Sequence, residues 1–288
     1  MGYDEVAIAG RRWAGRALRS WLKSARIKFY RRAAINNTQR FALGTGHTAP
    51  RKEKLTSLYR ISDGGNAKVR FPFATKEVCL KNFLSVFAPS RDNLIIIADN
   101  VGDATWEMVN KLHPNVLRTS LNNAGSWRYA AFDIAATRFA DDQVVYFVED
   151  DYLHLPGAPQ ALLEGISIAD YASLYDHSDK YVDAGDGGNP FIAHGGELTR
   201  VVRTAHVHWK VTNSTTMTFA VTVKVLREDR QLWERHTRAK VPHDFRAWMD
   251  LGRKSRRLVT PLPGYSTHCE PAFAAPGIDW ASVAAAVA

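Results

Sequence analysis

The sequence predicts an α/β protein, with a mostly parallel central sheet covered by helices on both faces and a basic helical arm in front of it. Three observations carry this reading. From residue 55 onward, short β-branched runs alternate with longer runs of helical period. The run "QVVYFVE" (143–149) is apolar almost throughout, as a strand covered on both faces is. The positive charge of the chain is concentrated at its N-terminus. A chain of 288 residues that is 45% hydrophobic and 23% charged can bury a large core. The expected organisation is therefore an arm, 1–54, and one large domain, 55–288.

The arm carries 13 Lys and Arg against Asp4, Glu5 and Glu53, a net +10 that leaves the rest of the chain near neutral within a total of +9. Trp13, Ala17, Leu18, Trp21, Leu22, Ala25 and Phe29 recur at three-and-four spacing, with Arg12, Arg16, Arg19, Lys23 and Arg26 largely on other faces. A basic amphipathic helix of this kind suits the surface of an anionic membrane. It equally suits a helix docked on the body with its charges in water. Nucleic acid is not an expected partner, because no recognisable nucleic-acid-binding fold accompanies the charge. No apolar run approaches the length of a spanning helix, and the N-terminus lacks a secretory signal. Cys79 and Cys269 stand too far apart in sequence to suggest a disulfide framework or a zinc site. A cytoplasmic protein is expected, with the arm tilting that expectation toward the inner face of a membrane.

Taken in order, "LTSLYRIS" (55–62) reads as a strand, "TKEVCLKNFLSVF" (75–87) as a helix, "NLIIIAD" (93–99) as a strand and "GDATWEMVNKL" (102–112) as a helix. "AGSWRYAAFDIAATRFA" (124–140) is a further helix before the apolar strand, and "VHWKVTNSTTMTFAVTV" (207–223) reads as a strand and hairpin. Trp209 in that segment either packs in the core or stacks on a sugar. "SLYDHSDKYVDAGDGGNPFIAHGGE" (173–197) reads as a mobile polar loop, with Asp176, His177, Asp179 and Lys180 as hydrated loop residues or acceptor contacts.

In a parallel sheet, ligands bind beyond the carboxyl ends of the strands. Two predicted strands end there in acids, one at Asp99 and the other at Glu149-Asp150-Asp151. Alone, Asp99 is an ordinary loop residue. Three adjacent carboxylates repel one another, and a divalent cation among them relieves this; hard oxygen ligands suit Mg or Mn bridging a phosphate-bearing substrate. The plain alternative is a solvated loop start with shifted pKa values. Asp63, after the first strand in "RISDGGNAK", either touches a nucleotide or belongs to a glycine-rich turn.

In this order, the segments "NLIIIADNVGDATWEMV" and "NNAGSWRYAAFDIAATRFADDQVVYFVEDDYLHLPGA" resemble nucleotide-sugar-dependent glycosyltransferases with the Rossmann-like GT-A fold, family 2-like. The resemblance implies that Asp99 holds the nucleobase, that Asn123, Gly125 and Arg128 match helix positions near the nucleotide sugar, that Glu149 and Asp150 face the nucleoside, and that Asp151 binds the metal. More loosely, "VPHDFRAWMDLGRKSRRLVTPLPGYSTHCE" (241–270) is similar to the family's later segment. There Asp244 matches the catalytic base and His268 the late histidine that completes metal coordination. His243 stands where the family usually has Glu, and Glu228-Asp229 offers a rival acidic pair.

The implied activity is metal-dependent transfer, with inversion, of a sugar from a nucleoside diphosphate to a hydroxyl of a glycan or lipid-linked acceptor. Asp244 at a helix start is otherwise a cap, and His268 otherwise a hydrogen-bonded loop residue. Two other functions stay open: a nucleotidyltransferase acting on a sugar phosphate, and a non-catalytic protein that binds anions or membranes. There is no P-loop, dinucleotide-binding glycine fingerprint or nucleophile elbow in the sequence.

Overall fold

The computed structural model describes residues 54–64, 69–186 and 188–288, so the expected basic helix of the arm lies outside the described residues. Strand β1 (Leu55–Ser62) leads to helix α1 (Lys76–Phe87), β2 (Leu94–Asp99), α2 (Asp103–Leu112) and the short β3 (Val116–Thr119). Helix α3 starts at Asn122–Arg128, widens into a π-helical stretch over Tyr129–Ala135 and closes with Ala136–Arg138. Then come β4 (Val144–Glu149), β5 (Tyr152–His154), α4 (Ala158–Ile168) and β6 (Tyr171–Ala172). The second half adds β7 (Val201–Arg203), β8 (His208–Thr212), β9 (Phe219–Thr222), α5 (Val223–Glu228), α6 (Arg230–His236), α7 (Asp244–Arg253), β10 (Leu258–Leu262), β11 (Ser266–His268) and α8 (Trp280–Ala285).

Among the described residues nine strands form one sheet in the order β3-β2-β1-β4-β9-β6-β10-β8-β7. Strands β3, β2, β1 and β4 are mutually parallel, and β6 and β10 pair in parallel with each other. Only β9 and β8 run against the common direction. The expected mostly parallel, Rossmann-like sheet is therefore present. The hairpin expected over 207–223 is not: β6 and β10 lie between β8 and β9. Residues 213–218 offer no glycine or Asn-Gly pair for a tight turn, and β8 and β9 run in the same direction, which a hairpin cannot join.

Helices cover both faces because both faces of the strands are apolar. On one side Leu80, Phe83 and Phe87 of α1 pack on Tyr59, Ile61 and Tyr146, in a cluster that reaches Trp209. On the other, Trp127, Phe132, Trp233 and Trp248 pack on Phe147 and Phe219. Trp209 is a core residue, fully buried, with its indole N–H donated to Thr204 Oγ1 at 3.0 Å. Gly165 of α4 permits that packing, since a Cβ there would lie 2.7 Å from the Trp209 ring. Cys79 and Cys269, distant in sequence, meet as free thiols in a third small cluster. A hydrogen bond to Cys269, together with burial, holds the Cys79 thiol well above its ordinary pKa.

His154 gives the fold a measurable pH signature. Its ring is fully buried between Phe83, Phe87 and Tyr146, with Nε2 2.9 Å from the Tyr146 hydroxyl. Burial pushes its pKa down to about 3. The unfolded chain takes a proton here near pH 6.5 and the folded chain does not, so this contribution to stability is complete above that pH. It is lost as the pH falls toward 3, at about 1.4 kcal/mol per pH unit. His154→Phe is expected to flatten the decline. Urea unfolding at pH 7 and pH 5 should show the wild type losing about 2 kcal/mol more than the variant over that interval; equal losses would remove His154 from the account.

Candidate active site

Strands β1, β2 and β4 end side by side, and their last residues line one cleft of about 340 Å³ at the carboxyl edge of the sheet. Ser62, Asp99 and Glu149 come from these ends, and Asp150 and Asp151 follow directly. The antiparallel β9 starts at the same edge, so Thr216 and Met217 also line it. From the helices come Asn122, Asn123 and Ser126 of α3 and Asp244 of α7.

Asp99 is buried, and its side chain accepts bonds from the Leu121 N–H at 2.6 Å, the Thr119 hydroxyl at 2.9 Å and the Asn100 amide at 3.0 Å. It thereby ties the ends of β2 and β3 to the start of α3. Asp63 does similar work at the neighbouring corner. It holds Lys76 Nζ at 2.5 Å, the Gly102 N–H at 2.9 Å and Thr105 at 3.1 Å, and these bonds outweigh burial to keep its carboxyl below the ordinary value.

The charge demanded by the three adjacent acids is met by cations that sequence reasoning missed. Arg60, in the middle of β1, stands opposite Glu149 in register and lies 3.6 Å from it. Its guanidinium also donates to Asn123 Oδ1 at 2.6 Å and to Ser126 Oγ at 3.2 Å. Arg70 lies 3.3 Å from both Asp150 and Asp151, and Lys76 lies 3.9 Å from Asp150. The Ser62 N–H adds a bond of 3.0 Å to Asp150. Burial and the neighbouring Asp151 still hold the Asp150 carboxyl above its ordinary pKa. A lone charged residue inside an otherwise uncharged strand was the available signal for Arg60, since a buried guanidinium needs an acidic partner.

Two very short strands complete the site. Antiparallel pairing of β5 with β11 sets His268 opposite Tyr152, and the Cys269 N–H bonds the Asp151 carbonyl at 2.8 Å. His268 Nε2 thus arrives 3.1 Å from Asp151 Oδ2, both groups being buried and facing the cleft. Asp244 lines the cleft from the first position of α7, where its Oδ1 accepts the Phe245 N–H at 2.7 Å. The loop before it is held to α3 by the Ala124 N–H on the Lys240 carbonyl at 3.2 Å. His243 is exposed.

The structure does not bring the other expected residues together here. Arg128 turns from the cleft to the Thr237 carbonyl. Gly125 is spaced against Leu121, 3.2 Å from where its Cβ would lie. Asp229 is buried at the opposite, amino edge of the sheet, bound by Arg256 at 2.7 Å and the Tyr171 hydroxyl at 2.9 Å, so it is no rival to Asp244 inside this cleft.

The 173–197 segment corrects the expectation of a hydrated loop at two positions. Asp176 and Lys180 are buried, one paired with Lys210 at 2.8 Å, the other donating to Ser214 at 2.7 Å and Asn213 at 2.9 Å. Burial would raise the Asp179 carboxyl, but bonds to His177 and Lys180 bring it to about 2. His177 itself lines the cleft, edge-on to Phe273 at 5.6 Å. Glu270, a buried acid just past β11, is a further cleft residue that no motif announced.

No protein-family model matches the chain, and no curated protein matches it. Solved structures similar in fold include 4-diphosphocytidyl-2C-methyl-D-erythritol synthase from Anaerococcus prevotii, at 10% identity and a TM-score of 0.40 over 73% of this chain and 88% of that one. The galactosyltransferase LgtC, in complex with donor and acceptor sugar analogues, has 10% identity and a TM-score of 0.39 over 69% and 70%. CMP:2-keto-3-deoxy-manno-octonic acid synthetase, complexed with CTP, has 12% identity and a TM-score of 0.40 over 73% and 92%. Among the described residues no helix is long and apolar enough to cross a membrane.

Proposed function

We propose that the protein is a glycosyltransferase that moves a sugar from a nucleoside-diphosphate sugar to a hydroxyl of a glycan or lipid-linked acceptor, with Mn or Mg at Asp151 and His268. One observation carries this: a carboxylate–imidazole pair and a separate helix-start carboxylate, Asp244, share one cleft at the carboxyl edge of the sheet. Donors bound side by side on a small hard cation lie about 3 Å apart, and Asp151 Oδ2 and His268 Nε2 are separated by 3.1 Å. Among the described residues no three acids, histidines or cysteines are grouped to hold a metal by themselves. A cation shared between two protein ligands and substrate phosphates matches that arrangement. When bound, it would supply positive charge to the departing diphosphate.

The cleft is lined by six carboxylates against Arg60, Arg70 and Lys240, so an anionic diphosphate enters it with a cation more readily than alone. Asp99, Glu149 and Asp150 lie on the nucleoside side of this reading. Asp244 takes the proton of the acceptor hydroxyl as its oxygen bonds to the anomeric carbon and the bond from that carbon to the diphosphate breaks. One displacement inverts the anomeric centre. The arm, 1–54, would bring the protein to an anionic membrane surface carrying such acceptors.

Arg70 and Lys76 beside Asp150 also fit a triphosphate, which favours nucleotidyl transfer as the second reading. The products decide. Incubation with UDP-, GDP- and dTDP-sugars, in Mn, Mg or chelator and with or without anionic vesicles, should release a nucleoside diphosphate from one donor, only with metal, and more with vesicles. Release of pyrophosphate from a nucleoside triphosphate and a sugar phosphate would replace this reading by the second. Absence of any metal-dependent nucleotide binding would end both.

A further inference from the structure

The acid cluster in the cleft already holds a cation of its own, on the same carboxylate oxygen that a metal held by Asp151 and His268 would use. Arg70 Nη2 lies 3.3 Å from Asp150 Oδ1 and 3.3 Å from Asp151 Oδ2, and that same Asp151 oxygen is 3.1 Å from His268 Nε2. The backbone puts it there: the Phe71 N–H bonds the Cys269 carbonyl at 3.0 Å, and the Cys269 N–H bonds the Asp151 carbonyl at 2.8 Å. Three distant segments are thereby laced together, with Arg70 and His268 both on the one Asp151 oxygen. The Arg70 side chain lines the cleft and keeps 27% of its surface exposed, whereas the acids it touches are buried.

A guanidinium and a divalent cation cannot share one carboxylate oxygen without strong repulsion. A guanidinium is also suited to gripping a diphosphate through paired N–H bonds. We propose that Arg70 is an exchangeable counter-ion. It neutralises Asp150 and Asp151 as the fold stands, gives way when a divalent cation takes Asp151, and turns to the diphosphate that arrives with that cation. This rests on the function proposed above for the same cleft, and it assigns to Arg70 both the competition with metal and a share of the grip on the donor.

The test separates the two ideas. Mn(II) alone is titrated into wild type, Arg70→Ala and Arg70→Lys, followed by electron paramagnetic resonance, and each of UDP, GDP and dTDP is then titrated calorimetrically with Mn present. Arg70→Ala should bind Mn about tenfold more tightly than wild type and the diphosphate about tenfold more weakly, with Arg70→Lys between them. Its melting temperature should fall without Mn and recover with it, a pattern that a merely structural arginine would not give. Should Arg70→Ala not fold, Arg70→Gln takes its place. Mn affinity that is unchanged or weaker on removing the guanidinium overturns the exchange, and unchanged diphosphate affinity overturns the grip. If wild type binds Mn but none of the diphosphates, the glycosyltransferase reading fails while the Mn titration still judges the competition.

Discussion

Asp244→Asn is expected to lower sugar transfer by about 10²–10⁴-fold while leaving metal-dependent binding of the nucleoside diphosphate intact. Asparagine keeps the shape of the side chain and its bond from the Phe245 N–H, which accounts for Oδ1 at 2.7 Å. It cannot take a proton. The position is well fixed, because the Ala124 N–H of α3 holds the Lys240 carbonyl and the His243 N–H holds the His236 carbonyl at the end of α6. A loss of transfer in this variant therefore reports on proton acceptance rather than on a displaced loop. The comparison variant is Glu270→Gln, since Glu270 is another buried acid of the same cleft. Transfer kinetics with saturating donor, beside calorimetric binding of the diphosphate, separate the outcomes. Activity within about threefold of wild type in Asp244→Asn would sink its assignment as base, and a collapse confined to Glu270→Gln would move the role there.

The fold class was legible because its signals are long. The stretches that became β1, α1, β2, α2, α3 and β4 each supply six or more residues of one period, enough for the pattern to dominate. Helix α4 hid because it is buried nearly all round, Ala158, Ala161, Leu162, Leu163 and Ile166 included, and so shows no polar stripe. Strands β5, β6 and β11 are two or three residues long, below any window in which alternation can be read. Yet β5 and β11 set His268 beside Asp151, so the contact between the two residues that the resemblance paired is made by strands too short to read.

The acids of the cleft were legible for a different reason. Glu149, Asp150 and Asp151 end an apolar strand, and their mutual repulsion posed a question that any fold must answer. The inference that positive charge must meet them holds, but the chain supplies Arg60, Arg70 and Lys76 itself. Register and loop path decide which arginine serves, and neither is written in the local sequence. Arg128 shows the limit of matching by position along a helix. At about 100° per residue, Asn122, Asn123 and Ser126 share the face over the cleft, and Arg128, two residues on, is carried round toward Thr237.

Asp151→Ala is the variant expected to remove function altogether. In the wild type, Asp151 shares one oxygen between His268 and Arg70, and its backbone carbonyl receives the Cys269 N–H. Alanine keeps that backbone bond, so β11 should stay paired with β5 and the fold should persist. What is lost is the carboxylate of the proposed cation site, which leaves His268 as a single ligand on a cation that needs several. Mn binding and Mn-dependent diphosphate binding should both fall by at least about 100-fold, and donor turnover with them. Stability should move the other way or little, because Asp150 loses the like charge that raises its pKa while Arg70 keeps Asp150 as partner. Melting curves beside Mn titrations check this separation. Undiminished Mn binding in Asp151→Ala would place the cation elsewhere in the cleft, among Glu149, Asp150 and Glu270, and would leave His268 as a structural partner of Asp151. A fall in melting temperature matching the loss of binding would instead make Asp151 a residue of the fold, and the activity loss would then say nothing about metal.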